Sequence, residues 1–175
     1  KNCIDHFNGM WAFVIYDHEK KELFSSRDRF GVKPFYYFLN EKLFAFASEQ
    51  KALLTLPFNL PRINEEAAFT YLVSGISENK PQGIFQNIME LMPSECFSLN
   101  IKSRLFKKWN YYQLNYEKKI HGFNEKYFLT TVEKCKELIE NAVMLRLSSD
   151  VPVGSCLSGG LDSSTIVCCI NNFLK

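Results

Sequence analysis

The chain has 175 residues, 46% of them hydrophobic and 23% charged, and 21 Lys+Arg against 19 Asp+Glu leave a formal charge of +2. That composition suits a globular protein of one domain or parts of two, and it excludes disorder, collagen and coiled coil as dominant classes. Balanced charge without a long basic run also excludes the electrostatic footprint that duplex nucleic acid or an anionic membrane requires, so any phosphate binding must be local.

The longest apolar runs, such as Trp11 to Tyr16, fall far short of the ~20 residues that cross a bilayer. The opening KNCIDHFNG has charges and amides where a secretory signal has an apolar stretch, so a cytoplasmic location is expected. It resembles the end of a helix and has no initiator Met, which reads as the start of a fragment. Six cysteines without a CxxC pair point to neither a zinc site nor a disulfide framework; most are expected to be reduced and buried.

From Gly9 to Asn40 the pattern is β: GMWAFVIYD, the charged turn HEKKE, LFSSRD, a glycine-containing turn, then PFYYFLN. A strand at Leu43–Ala47 follows the Glu41-Lys42 turn, which predicts antiparallel pairing. Ser48–Leu54 reads as a short helix with Ser48 and Glu49 at its cap, and Asn64 caps a second helix at Glu65–Val73. Ser74 to Met92 is expected to be irregular, and short strands are predicted at Glu95–Leu99 and Arg104–Lys108. A polar, aromatic stretch, YYQLNYEKKIHGFNEK, then reads as a linker. Apolar residues at helical spacing predict a helix over Tyr127–Leu147. The last segment, VPVGSCLSGGLDSSTIVCCINNFLK, is predicted as strand, glycine loop and helix, half of a βαβ unit.

The loop Ser158, Gly159, Gly160, Leu161, Asp162, Ser163, Ser164 carries the sharpest chemical signal. Two glycines let the backbone turn tightly and approach a ligand without Cβ obstruction. Ser163 and Ser164 fall in the first helical turn, where free N–H groups and the helix dipole attract phosphate, and their hydroxyls add donors. Asp162 would repel a bare phosphate, which suggests Mg²⁺ bridging the carboxylate and phosphate oxygens. No Lys follows the glycines and GxGxxG is absent, so neither a Walker loop nor a dinucleotide fold is supported.

SGGLDSS resembles the pyrophosphate loop of ATP pyrophosphatases, and SDVPVGSCLSGGLDSS resembles its form in glutamine-dependent asparagine synthetases. FNGMWAFVIYD, RDRFGVKPFYY, FASEQKALL, IFQNIMELMPSECFSL and KKWNYYQL are similar, in order, to that family's glutaminase domain. The resemblance implies an α+β then α/β fold. Residues 1–112 would be the later part of an N-terminal-nucleophile (class II amidotransferase) glutaminase sandwich and 113–126 a linker. Residues 127–175 would be the first strand, loop and helix of an ATP pyrophosphatase domain of the adenine nucleotide alpha hydrolase type.

The implied activity is synthesis of asparagine from aspartate and glutamine-derived ammonia through β-aspartyl-AMP. The resemblance assigns Ser158, Gly159, Gly160, Asp162, Ser163 and Ser164 to the pyrophosphate and Leu157 to the neighbourhood of the adenosine. It implies ATP and Mg as cofactors, with Asp162 reaching Mg through the phosphates. The partners are small molecules (ATP, aspartate, glutamine), not nucleic acid or membrane, with a homodimer admitted as the assembly. The family's nucleophile is an N-terminal Cys that precedes FNGMWAF, and Cys3 does not align with it. No catalytic residue is therefore assigned within the chain, which is expected to be inactive alone. A related amide-forming enzyme on the same scaffold and a non-catalytic remnant stay open as alternatives.

Simpler roles are expected elsewhere. Arg27, Asp28, Arg29 and Lys33 read as a salt-bridged, solvated hairpin, with a domain-interface role left open. His6, His18 and His121 read as surface residues, Cys168 and Cys169 as helix core, and Cys156 as a buried strand residue.

Overall fold

A computed structural model describes residues 2–57, 62–75, 81–116 and 122–174. It separates into two compact units, residues 1–115 and 116–175.

In the first unit, a 3-10 turn at Asn2–His6 precedes β1 (Ala12–Asp17), β2 (Glu22–Arg27), β3 (Tyr36–Leu39) and β4 (Phe44–Ala47). Helices α1 (Gln50–Leu54) and α2 (Glu65–Ser74) follow, then β5 (Ile88–Glu90), β6 (Glu95–Asn100) and β7 (Phe106–Asn110). The strands form two antiparallel sheets, ordered β1-β2-β6-β7 and β4-β3-β5. This is an α+β unit, with the predicted β3–β4 pairing in register Tyr36↔Ala47.

Alternation along the strands decides which side chains meet. Phe97 and Leu99 of β6 face Phe35, Tyr37 and Leu91, and β1, β2, β4 and β7 add Ala12, Val14, Leu23, Phe44 and Phe106 to the same cluster. Phe97 sits among four rings, with centroids 5.2 Å from Phe106, 5.5 Å from Phe44, 5.7 Å from Tyr37 and 6.0 Å from Phe35. On the other face of the larger sheet, Cys96 and Phe24 pack under Ile4 of the N-terminal turn. Burial pushes the Cys96 thiol up to about 11. The Tyr37 phenol is pushed up to about 12 by burial, with Glu95 adding to the effect.

Side chains set the element ends. Asn64 Oδ1 accepts from Ala67 N–H at 3.3 Å, the expected cap of α2, and Gly75 closes that helix at φ 69°. Helix α1 differs from expectation: Glu49 is its first flanking residue and no side chain caps it, so Ser48 is not the cap. Strand β7 starts two residues later than predicted because Asn100 Oδ1 accepts from Lys102 and Ser103 N–H in the turn, and Arg104 lies at φ 60°. Strand β5 lies inside the stretch read as irregular. It forms because Tyr36, Tyr37 and Phe38 supply a partner edge some fifty residues away in sequence.

The second unit holds α3 (Glu125–Leu147) and α4 (Leu161–Phe173). Asn124 caps α3 by accepting from Tyr127 N–H at 2.9 Å. The strand predicted before the glycine loop is not formed: residues 151–158 pair with no neighbour among the described residues, and a strand exists only through its ladder. With two helices and no sheet among the described residues of this unit, little is buried. Cys169 is covered, but Cys156 and Cys168 are exposed, correcting their assignment to a core. Cys3 and Cys135 are exposed too, so burial does not hold for most of the cysteines. His6 and His18 lie at the surface as expected, whereas His121 and part of the predicted linker fall outside the described residues. Among the described residues, no helix is long and apolar enough to cross a membrane.

Candidate functional site

Gly159 takes the left-handed conformation, φ +83°, that its residue type favours, and nothing lies within 4 Å of where a Cβ would stand. Gly160, extended at φ −74°, is the flanking residue of α4 and provides no side-chain cap. The helical ladder begins with Ser164 N–H on Gly160 O at 3.0 Å. The amides of Leu161, Asp162 and Ser163 belong to the first turn, where the helix itself offers no acceptor.

Two hydroxyls complete this turn. Ser158 Oγ and Ser163 Oγ lie 3.0 Å apart, and Ser163 Oγ donates to Gly160 O at 3.1 Å. The fold therefore brings Ser158, Gly159, Gly160 and Ser163 around one exposed helix start. Ser164 is half-buried one residue further on, and Leu157 and Asp162 are exposed beside it. The result is an open set of backbone donors at the positive end of a helix, suited to an oxyanion, with the Ser158 and Ser163 hydroxyl protons engaged within the turn. Asp162 carries no ion pair or hydrogen bond among the described residues, and no cluster of three or more ligating side chains occurs among them. One free carboxylate with hydroxyl neighbours fits a hard divalent cation that takes its remaining ligands from phosphate and water.

The RDRFGVKP segment departs from the solvated hairpin expected of it. Arg27 and Asp28 are buried. Arg27 Nη1 donates to Glu90 Oε1 at 2.7 Å and to Leu91 O at 2.5 Å, Nη2 to Gly31 O at 2.7 Å, and Nε to Lys33 O at 2.7 Å. The guanidinium thus joins β2 of one sheet to β5 of the other. Asp28 Oδ1 accepts from Phe30 and Val32 N–H, and Oδ2 from Lys33 N–H. Burial alone would raise the Asp28 carboxyl, yet the amides of Lys33, Val32 and Phe30 outweigh it and hold the group below its ordinary value. Charge spacing in sequence could not reveal this hub, because the Glu90 partner is 63 positions away.

Comparison with known proteins agrees with both units. Residues 1–112 match the family described as glutamine amidotransferase domain, and residues 134–175 match asparagine synthase. The chain belongs to the glutamine amidotransferase domain family. It is 38% identical over 174 residues to the "putative asparagine synthetase (glutamine-hydrolyzing) 2" of Methanocaldococcus jannaschii, covering 98% of this chain and 33% of that protein. It is likewise 38% identical over 166 residues to asparagine synthetase (glutamine-hydrolyzing) 3 of Bacillus subtilis, covering 95% and 26%. A more distant relative, amidase chry2 of Gibberella zeae, is 27% identical over 173 residues, covering 98% and 25%. The chain spans about a third of the first relative's length and about a quarter of the other two.

Proposed function

We propose that residues 1–112 are the later part of a glutaminase domain, 113–126 a linker, and 127–175 the opening of an ATP pyrophosphatase-type synthetase domain. The activity they serve is ATP-dependent synthesis of asparagine from aspartate and glutamine-derived ammonia through β-aspartyl-AMP, with the glutaminase nucleophile outside this chain. One observation carries the reading: in collinear order with an amidotransferase sheet unit, SGGLDSS stands as an uncapped helix start with free amides and two hydroxyls converging on it.

In this scheme the amides of Leu161, Asp162 and Ser163 and the Ser164 hydroxyl hold the pyrophosphate portion of ATP, joined by the hydroxyls of Ser158 and Ser163 once these rotate out of their bonds within the turn. Gly159 and Gly160 let the backbone approach it, and Leu157 flanks the adenosine. Donors fixed before the reaction stabilise the charge that grows on the departing pyrophosphate. Asp162 would hold Mg²⁺ together with the phosphates, and that ion, when bound, supplies charge neutralisation at the leaving group.

Titration calorimetry of the chain with pyrophosphate, with and without Mg²⁺, tests the assignment. Saturable binding that Ser163→Ala weakens, and an Mg²⁺ enhancement that Asp162→Ala removes, are expected. Equal affinity in all three proteins would refute it.

A further inference from the structure

Helices α3 and α4 of the second unit enclose an apolar groove of about 300 Å³, and a cysteine from each helix lines it: Cys135 and Cys169. Val132 and Ile139 flank Cys135 at helical spacing on α3, and Thr165 lies one turn from Cys169 on α4. The two thiols therefore stand on the faces the helices turn toward each other. Their exposure differs: Cys135 is open to solvent, whereas Cys169 is 9% exposed. Cys168, next to Cys169 in the chain, is exposed and does not line the groove.

We propose that Cys135 and Cys169 form a thiol–disulfide exchange site for small disulfides of the glutathione class, and that the exchange ends in a disulfide joining α3 to α4. Accessibility orders the steps. The Cys135 thiolate attacks one sulfur of the small disulfide, forming a mixed disulfide and expelling one glutathione thiolate. The Cys169 thiolate, held on the opposite wall of the groove, then attacks the Cys135 sulfur and expels the second. Two protein thiols are oxidised, one small disulfide is reduced to two thiols, and the two protons lost by the protein go to the departing thiolates.

Ordinary helix packing is compatible with such a bond. Helices packed at about 8–10 Å, with Cα atoms about 2.3 Å from each axis, bring facing Cα atoms to about 3.5–5.5 Å. That range overlaps the separations of about 4.4–6.8 Å that a disulfide spans. Cysteine and threonine on the facing stripe are small enough to allow such an approach. The bond would tie to α3 the helix whose first turn carries the Ser158–Ser164 loop.

The adjacent thiols Cys168 and Cys169 supply an internal control, because sequence separation from Cys135 hardly distinguishes them. The full chain, dilute and reduced, is incubated with glutathione disulfide, trapped at low pH and mapped by peptide mass spectrometry. The expected product is an intramolecular Cys135–Cys169 link with a mass lower by two hydrogens. In urea the same treatment should link Cys135 to Cys168 and Cys169 in comparable yield. Cys169→Ser, or Cys169→Ala if the serine variant fails to fold, should instead accumulate glutathione on Cys135. Comparable 135–168 and 135–169 linkage without urea, separate glutathione adducts on both cysteines, links between chains, or an unreactive Cys135 would each overturn the proposal.

Discussion

Replacing Arg27 with Met tests the bridge between the two sheets. The side chains of Arg27 and Glu90 are 7% and 11% exposed, so the substitution leaves a carboxylate buried without its counter-charge and withdraws donors from the Gly31, Lys33 and Leu91 carbonyls. Breaking a buried pair from one side costs about 3–5 kcal/mol, a large share of the ~5–15 kcal/mol that keeps a domain folded. With a denaturant slope of about 1.5–2 kcal/mol/M in urea, the midpoint should fall by about 2 M. Trp11 and Trp109, the only tryptophans, both lie in the first unit, so their fluorescence reports its unfolding alone. Arg27→Lys should lose nearly as much, since an ammonium cannot match a planar fork that reaches four acceptors. Adding Glu90→Leu to Arg27→Met should recover more than half of the loss by removing the stranded charge. A midpoint shift below about 0.5 M for Arg27→Met, or a lysine variant equal to the parent, would refute the bridge.

Two further predictions concern the turn beside that bridge. The folded state holds the Asp28 carboxyl below its ordinary 3.8, so its contribution is fully present above about pH 4–5 and is lost as pH falls through the folded value. The stability gap between the parent and Asp28→Asn should therefore shrink from pH 5 to pH 2 in urea titrations; a constant gap would contradict the assignment. Gly31 lies at φ +66°, and a Cβ there would stand 2.8 Å from Pro93 Cγ, so Gly31→Ala should cost more than about 1 kcal/mol. Adding Pro93→Ala should return part of that cost, and thermal melts showing no recovery would mean that the ring is not the obstacle.

Local information in the sequence determined much of this protein. Alternating aromatic and β-branched residues set β1 to β4 and β6, Asn64 announced its helix, and the apolar spacing of 127–147 drew most of α3. The glycine pair and serines of residues 158–164 announced a tight turn opening a helix, because turn and first-turn preferences act over a few residues. Tertiary structure decided what depends on distant partners. Strand β5 exists because β3 offers it an edge, and the expected strand before the glycine loop does not form because no edge is offered to it among the described residues. Arg27 and Asp28 looked like surface charges in sequence and became a buried hub through Glu90, Leu91 and the amides of residues 30–33. Of two adjacent cysteines on α4, packing against α3 covers Cys169 and leaves Cys168 open. Hydrogen bonding and burial between residues far apart in the chain are set by how elements meet, and a local pattern carries no record of that meeting.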